Sequence, residues 1–187
     1  MDRLMRCCRW LGGLAGWLAI LAGCTAAGQG LPPLQTVPRV DLPRYVGTWY
    51  EIASYPHRFQ RGCVASRAIY TLREDGTLGV TNECRQDTLD GPLRGVSGRA
   101  RVADPLTGAR LQVSFFWPIW GDYWIIDLDA DYQWAVVGHP SRNYLWILSR
   151  TPGLDEALYQ RILARLPNQG YDPARLHKTL QPGEPDR

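Results

Sequence analysis

Val46-Gly47-Thr48-Trp49-Tyr50-Glu51-Ile52-Ala53-Ser54-Tyr55 reads as a strand, and it opens a succession of strands that runs to Arg150. A glycine ahead of an aromatic is a common strand start. Because side chains alternate along a strand, the run turns Trp49, Glu51 and Ala53 to one face. Outward from it, short aromatic or β-branched runs alternate with turn residues at a spacing suited to an up-and-down barrel. The expected strands cover 46–55, 64–72, 78–84, 96–103, 109–117, 123–128, 132–138 and 144–150. Asp75-Gly76, Asp90-Gly91-Pro92, Asp104–Gly108, Pro118–Gly121 and His139–Arg142 supply turns between them. Eight such strands suffice to close a barrel around one small ligand. The fold expected is all-β, an eight-stranded antiparallel up-and-down β-barrel.

After the strands, Thr151-Pro152 reads as a helix start, where proline's missing N–H costs nothing. Leu154, Leu158, Ile162 and Leu166 then share one helical face, so a C-terminal α-helix packs on the outer wall. A short strand is expected near Leu176–Leu180. Composition fits such a fold. The chain has 187 residues, eight Trp and nine Tyr against three Phe, and aromatics with a polar handle suit walls that are apolar in one place and wet in another. The net charge of +3 is spread along the chain without a basic stripe, so no nucleic acid is expected as a partner.

Three short motifs stand in order along the chain. The first is Gly47-Thr48-Trp49, the second Asp131-Tyr132-Gln133-Trp134-Ala135-Val136-Val137, and the third Leu148-Ser149-Arg150-Thr151. Together they resemble the signature of the lipocalins. Gly47, Trp49, Asp131, Tyr132 and Arg150 are then the structural motif residues, with the Arg150 guanidinium packed on the Trp49 indole at the closed end of the barrel. Val113-Ser114-Phe115-Phe116 and Tyr144–Pro152 look in particular like the bacterial outer-membrane lipoprotein branch of the family. That resemblance implies binding of fatty acids or lysophospholipids, for storage, transport or scavenging of membrane lipids. It also raises a homodimer as an assembly state.

The N-terminus resembles a lipoprotein signal peptide. A short basic region through Arg9 precedes a mostly apolar stretch, Trp10–Ala22, too short to span a bilayer comfortably. Leu21-Ala22-Gly23-Cys24 resembles a lipobox, which implies a signal peptide over 1–23 and lipidation, palmitate included, at Cys24. Several acyl chains would anchor the chain to the membrane stably. Thr25, where an aspartate would suggest inner-membrane retention, favours the outer membrane, with the folded domain in the periplasm. Residues 24–44, punctuated by proline, read as a flexible tether. The barrel domain is expected over 45–180 and a tail over 181–187. With Cys7 and Cys8 removed and Cys24 lipidated, Cys63 and Cys84 remain in an oxidising compartment, as a disulfide or as two free thiols. The bridge is the expected state, and it requires a bend near Gly62, because register alone does not set the two opposite each other.

Alternation also selects the walls of the cavity. Leu111, Val113, Phe115 and Trp117 share one face, as do Tyr144, Trp146 and Leu148. The ligand-binding candidates are Glu51, Phe115, Trp117, Tyr144 and Trp146. Glu51 would stand near the floor, and is expected more as a hydrogen-bonded structural group than as a ligand contact. Strand 123–128 is ambiguous. An outward Asp127 turns Trp124 and Ile126 inward, whereas the resemblance favours Tyr123 and Ile125. An apolar well suits an acyl chain, with its headgroup at the mouth near His57, Arg58 and Arg61.

Rival chemistries find little support. Asp127-Leu128-Asp129-Ala130-Asp131 opens like a calcium loop, but Tyr132 and Gly138 replace its glycine and glutamate. His57, His139 and His177 lack zinc-ligand spacing, no Gly-x-Ser-x-Gly elbow occurs, and no metal, cofactor or catalytic residue is assigned. An enzyme is not expected. A lipid-modifying enzyme would have to use Glu51 or a free cysteine. An envelope scaffold with a barrel filled by its own aromatics is the other alternative.

Overall fold

The computed structural model describes residues 31–183. The expected signal peptide, Cys24 and the first part of the tether lie outside the described residues. Eight strands, β1 (Gly47–Ser54), β2 (Cys63–Leu72), β3 (Leu78–Gln86), β4 (Leu93–Val102), β5 (Arg110–Phe116), β6 (Ile119–Leu128), β7 (Trp134–Gly138) and β8 (Leu145–Ser149), each pair antiparallel with the next. β1 pairs with both β2 and β8, so the sheet closes on itself into a barrel. The expected strands are all present, with β4 and β6 beginning earlier than the turn residues suggested. The only residues between β5 and β6 are Trp117 and Pro118.

Strand alternation sorts the apolar residues into two cores. Trp49, Leu78, Val80, Ala100, Leu111 and Ile125 are among those that fill the lower lumen. On the opposite faces, Ile52, Ala53, Ile126, Val136, Leu145 and Ile147 meet Tyr159, Ile162 and Leu166 of the C-terminal helical segment. That helix, α2 (Glu156–Arg165), starts four residues later than the Pro152 start predicted, because the Asp155 carboxylate caps it by accepting from the Leu158 N–H at 2.9 Å.

Register shifts interrupt four of the strand pairings, and two of them reset the inward count. Between Glu51 and Ala53 the register with β8 shifts by one residue, so Glu51 and Ser54 face the lumen while Ile52 and Ala53 both join the outer core. Ala53 therefore does not face inward as expected. A second shift, between Ile125 and Asp127, settles β6. Tyr123 and Ile125 point inward, Ile126 packs under α2, and Asp127 still faces out to an ion pair with Arg165 at 2.6 Å.

The segment 31–44 is not a free tether. Leu34 and Val40 are buried, and the backbone N–H groups of Val37 and Val40 donate to the carbonyls of Ile125 and Thr107. It leads into a one-turn helix, α1 (Leu42–Tyr45), that places Tyr45 inside the closed end. Apolar residues spaced along a proline-punctuated chain were enough to lay it along the barrel wall. The packed unit thus begins before residue 45, and the described residues from Leu31 form one compact unit.

The other chain end seals the barrel's seam. β1 and β2 pair only from Gly47 to Tyr50. Beyond that they diverge, and the two-residue strand β9 (His177–Lys178) pairs with Ala53 and Ser54. The Thr179 N–H donates to the Ile52 carbonyl and the Ala65 N–H to that of Leu180, bridging the gap. Gln181, fully buried, donates to the carbonyls of both Glu51 and Ser66.

Candidate functional site

At the closed end, the Arg150 guanidinium lies 3.8 Å from the centroid of the Trp49 ring. Its N–H groups donate to the carbonyls of Thr48, Arg44, Tyr45 and Tyr132 at 2.7–3.2 Å. The Trp49 indole N–H donates to the Tyr45 carbonyl at 2.7 Å. Gly47 is needed here twice over. Its φ is +100°, and a Cβ would stand 3.2 Å from an Arg150 nitrogen. Tyr132 completes the floor, with Arg44 over its ring at 4.2 Å and its hydroxyl accepting from the Asp41 N–H. Asp131 sits exposed on the β6–β7 turn and does not join these contacts.

Above Trp49, three phenols meet in the lumen. The hydroxyls of Tyr45 and Tyr123 are 2.8 Å apart, and Tyr70 donates to Tyr123 at 2.9 Å. Burial pushes Tyr70 up to about 12 and holds Tyr45 and Tyr123 well above the usual phenol range, so all three stay neutral. Higher still, Ala68, Val113, Phe115 and Trp146 line the same interior face and are only half-buried. The lower barrel is packed, whereas these residues above it are only partly covered.

The mouth is organised around Glu51. One carboxylate oxygen accepts from the hydroxyls of Ser54 (2.9 Å) and Thr179 (2.6 Å), the other from the Gln60 amide at 2.7 Å. The Gln60 carbonyl oxygen in turn accepts from the Trp146 indole at 3.4 Å. Trp146 stacks on Tyr144 at 6.0 Å, and His57 meets both rings edge-on. His139 approaches Tyr144 from the β7–β8 loop. Burial holds both imidazoles below their ordinary pKa, against smaller opposing effects of Gln60 and Glu51 on His57 and of Asp122 on His139. Glu51 is thus the hydrogen-bonded group expected, but it stands at the seam near the mouth rather than at the floor.

Of the remaining candidates, Phe115 lines the lumen and Trp117 does not. β5 ends at Phe116, and Trp117 projects 81% exposed from the β5–β6 turn, where strand parity no longer applies. The expected bridge is present. Cys63 and Cys84 are joined, with Cα atoms 5.4 Å apart. Positive φ at Gly62 and Ala65 and a bulge between Val64 and Arg67 bring together two positions that register alone would offset. Beside the bridge, a cleft of about 530 Å³ lies between the β1–β2 loop and the C-terminal peptide, lined by Glu51, His57, Arg58, Arg61, His177 and Lys178 among others. His57, Arg58 and Arg61 therefore line one cleft.

Gln60, Thr179 and the tyrosine trio carry no motif. Alternation on β2 and β6 could have found Tyr70 and Tyr123, but Gln60 and Thr179 reach Glu51 only through a loop and a chain end.

A family model described as a lipocalin-like domain matches residues 40–181. The chain is 44% identical over 162 residues to temperature-induced lipocalin-1 of Arabidopsis thaliana, covering 81% of this chain and 85% of that protein. It is 40% identical over 178 residues to outer membrane lipoprotein Blc of Escherichia coli (strain K12), covering 89% and 98%. Among solved structures, insecticyanin from the tobacco hornworm Manduca sexta superposes with a TM-score of 0.64 at 19% identity over 80% of this chain and 85% of that one. The cockroach allergen Per a 4 superposes at 0.61 and 22% identity over 81% and 94%. With its closed barrel, its Trp49–Arg150 floor and a family match across most of its length, this chain belongs to the lipocalin-like family.

Proposed function

We propose that this protein is a membrane-anchored lipid carrier of the bacterial envelope, binding a fatty acid or lysophospholipid in the barrel. The observation that carries the reading is the well itself. An apolar lumen is closed below by Trp49 and Arg150 and partly covered at Phe115 and Trp146, and Arg58 and Arg61 line a cleft beside the β1–β2 loop at the same end. Each methylene removed from water contributes roughly 0.8 kcal/mol, so an acyl chain binds there without specific polar partners. The cations at the mouth suit a carboxylate or phosphate headgroup. Lipidation at Cys24 and an outer-membrane location, with the domain in the periplasm, rest on the lipobox and on likeness to relatives named outer membrane lipoproteins.

Catalysis on the bound lipid is the weaker reading. The Cys63–Cys84 bridge takes up both thiols among the described residues, and both Glu51 oxygens accept hydrogen bonds within the fold. The deciding experiment is native mass spectrometry of residues 31–187 produced in the periplasm, followed by analysis of what unfolding releases. A stoichiometric acyl lipid is expected. A protein that is empty and also takes up no added fatty acid or lysophospholipid overturns the carrier and favours an envelope scaffold with a filled barrel.

A further inference from the structure

Three phenols form one hydrogen-bonded node inside the barrel, and their protons do not balance. Tyr45 comes from α1, Tyr70 from β2 and Tyr123 from β6. Tyr70 donates to the Tyr123 hydroxyl at 2.9 Å, and a second bond of 2.8 Å joins Tyr45 and Tyr123, whichever of the two donates. Two bonds use two of the three protons. If Tyr45 donates, the Tyr123 proton is left over, and if Tyr123 donates, that of Tyr45 is. Among the described residues nothing else accepts from the trio. Its surroundings are apolar, with Val80 opposite Tyr70 and Leu111 opposite Tyr123 in register, and the Trp49 ring 4.9 Å from that of Tyr45.

Packing alone does not call for these hydroxyls. Phenylalanine fills nearly the same volume, and replacing buried polar partners together by apolar groups of one shape costs little or stabilises. A buried proton without an acceptor is unfavourable, and native interiors keep few of them. The trio also borders uncovered space. Tyr45 and Tyr70 are buried, whereas Tyr123 is only partly so. Toward the mouth, the next inward positions are Ala68 on β2 and Gly121 on β6. Gly121 is exposed, and beyond its chain neighbours a Cβ there would meet nothing nearer than the Val113 carbonyl oxygen at 3.9 Å. A methyl group and a bare backbone are thus all that β2 and β6 place directly above the phenols.

We infer that the spare proton of the Tyr45–Tyr70–Tyr123 trio binds a neutral oxygen at the buried end of the ligand, so that the barrel selects an acyl chain carrying a hydroxyl or keto group near its methyl end. The inference rests on the carrier reading and names the chain that the carrier accepts. A neutral oxygen matches the single proton on offer, whereas a buried carboxylate would need several donors. The depth matches as well. Tyr70 follows Cys63, at the mouth end of β2, by seven residues, roughly 20 Å of strand. A chain whose carboxylate stays at the mouth therefore brings its far carbons to the trio.

Residues 31–187, which contain both cores, would be titrated by calorimetry with palmitic acid, ω-hydroxypalmitic acid and α-hydroxypalmitic acid. The wild-type domain should bind the ω-hydroxy acid at least as tightly as palmitic acid, although its far end is polar. In Tyr45→Phe with Tyr70→Phe and Tyr123→Phe, the ω-hydroxy acid should weaken about tenfold or more relative to palmitic acid, because its hydroxyl is then buried without a partner. The melting temperature of that variant should be equal or higher. The α-hydroxy acid, whose oxygen stays at the mouth, should follow palmitic acid in both proteins. A wild-type domain that binds the ω-hydroxy acid about tenfold more weakly than palmitic acid overturns the inference, whether or not the variant folds. So does a variant with the wild-type ratio of affinities, the result expected if an enclosed water takes the spare proton. Failure of the carrier reading is distinct, since the domain would then take up none of the three acids.

Discussion

Arg150 donates to four backbone carbonyls while its guanidinium covers the Trp49 ring at 3.8 Å. One side chain thereby ties the start of β1, the end of α1 and the β6–β7 turn together. Arg150→Met keeps the apolar contact but removes the charged donor from all four carbonyls, of which that of Tyr45 keeps the Trp49 indole N–H. It should lower stability by about 2–4 kcal/mol, given roughly 1.5–3 kcal/mol for a hydrogen bond to a charged group and partial solvent rescue. Arg150→Lys should recover less than half, since an ammonium cannot reproduce the planar fork. Urea unfolding midpoints at constant slope would measure both.

Glu51 holds the seam through Ser54, Gln60 and Thr179. Glu51→Ala should cost about 2–3 kcal/mol and free the C-terminal peptide before the barrel unfolds. Amide exchange at Thr179, whose N–H donates to the Ile52 carbonyl, should accelerate at least tenfold, while exchange in β7 is unchanged. Equal protection of Thr179 in the variant would show that the β9 pairing and Gln181 secure the tail without Glu51.

The Cys63–Cys84 bridge closes a loop of sequence separation 21. Chain-entropy reasoning puts its contribution at about 3 kcal/mol. Calorimetry of a Cys63→Ala, Cys84→Ala variant should therefore show a melting temperature lower by roughly 6–10 °C for a domain of this size. Because the bridge borders the mouth cleft, the β1–β2 loop should be the first region to lose protection.

Burial depresses the pKa of His57 and His139 below the ordinary 6.5. The unfolded chain therefore takes up protons on these groups at a higher pH than the folded one does. The stability associated with the neutral imidazoles is fully present above pH 6.5 and is lost as the pH falls through the lower folded values. Melting temperature should decline on acidification below about pH 6.5, and His57→Gln with His139→Gln should flatten that decline. The same protonation would add charge beside Arg58 and Arg61, so the wild-type mouth should also become more exchange-labile in acid.

How far a short-range pattern carries is visible strand by strand. On β5 and β8 the two-residue period selects Leu111, Val113, Phe115, Trp146 and Leu148 for the interior, because side-chain direction in a regular strand follows from the backbone alone. It fails at Ala53 and at Asp127, where one inserted residue resets the count. It fails again at Trp117, one residue past the end of its strand. Bulges and strand ends are set by pairing partners distant in sequence, which no local period encodes.

What the sequence determined by itself is the barrel and the outer helix, since alternation, turn residues and helical spacing are local properties, while the Trp49–Arg150 floor was implied by the resemblance of three motifs to the lipocalins. The tertiary structure alone decided three things. The segment 31–44 packs along the wall, residues 177–181 close the gap between β1 and β2, and Glu51 stands at that seam bound by Gln60 and Thr179. Each depends on contacts across long sequence separations, where burial and hydrogen-bond satisfaction in the assembled barrel outweigh the weak local preferences of proline-rich and polar chain ends.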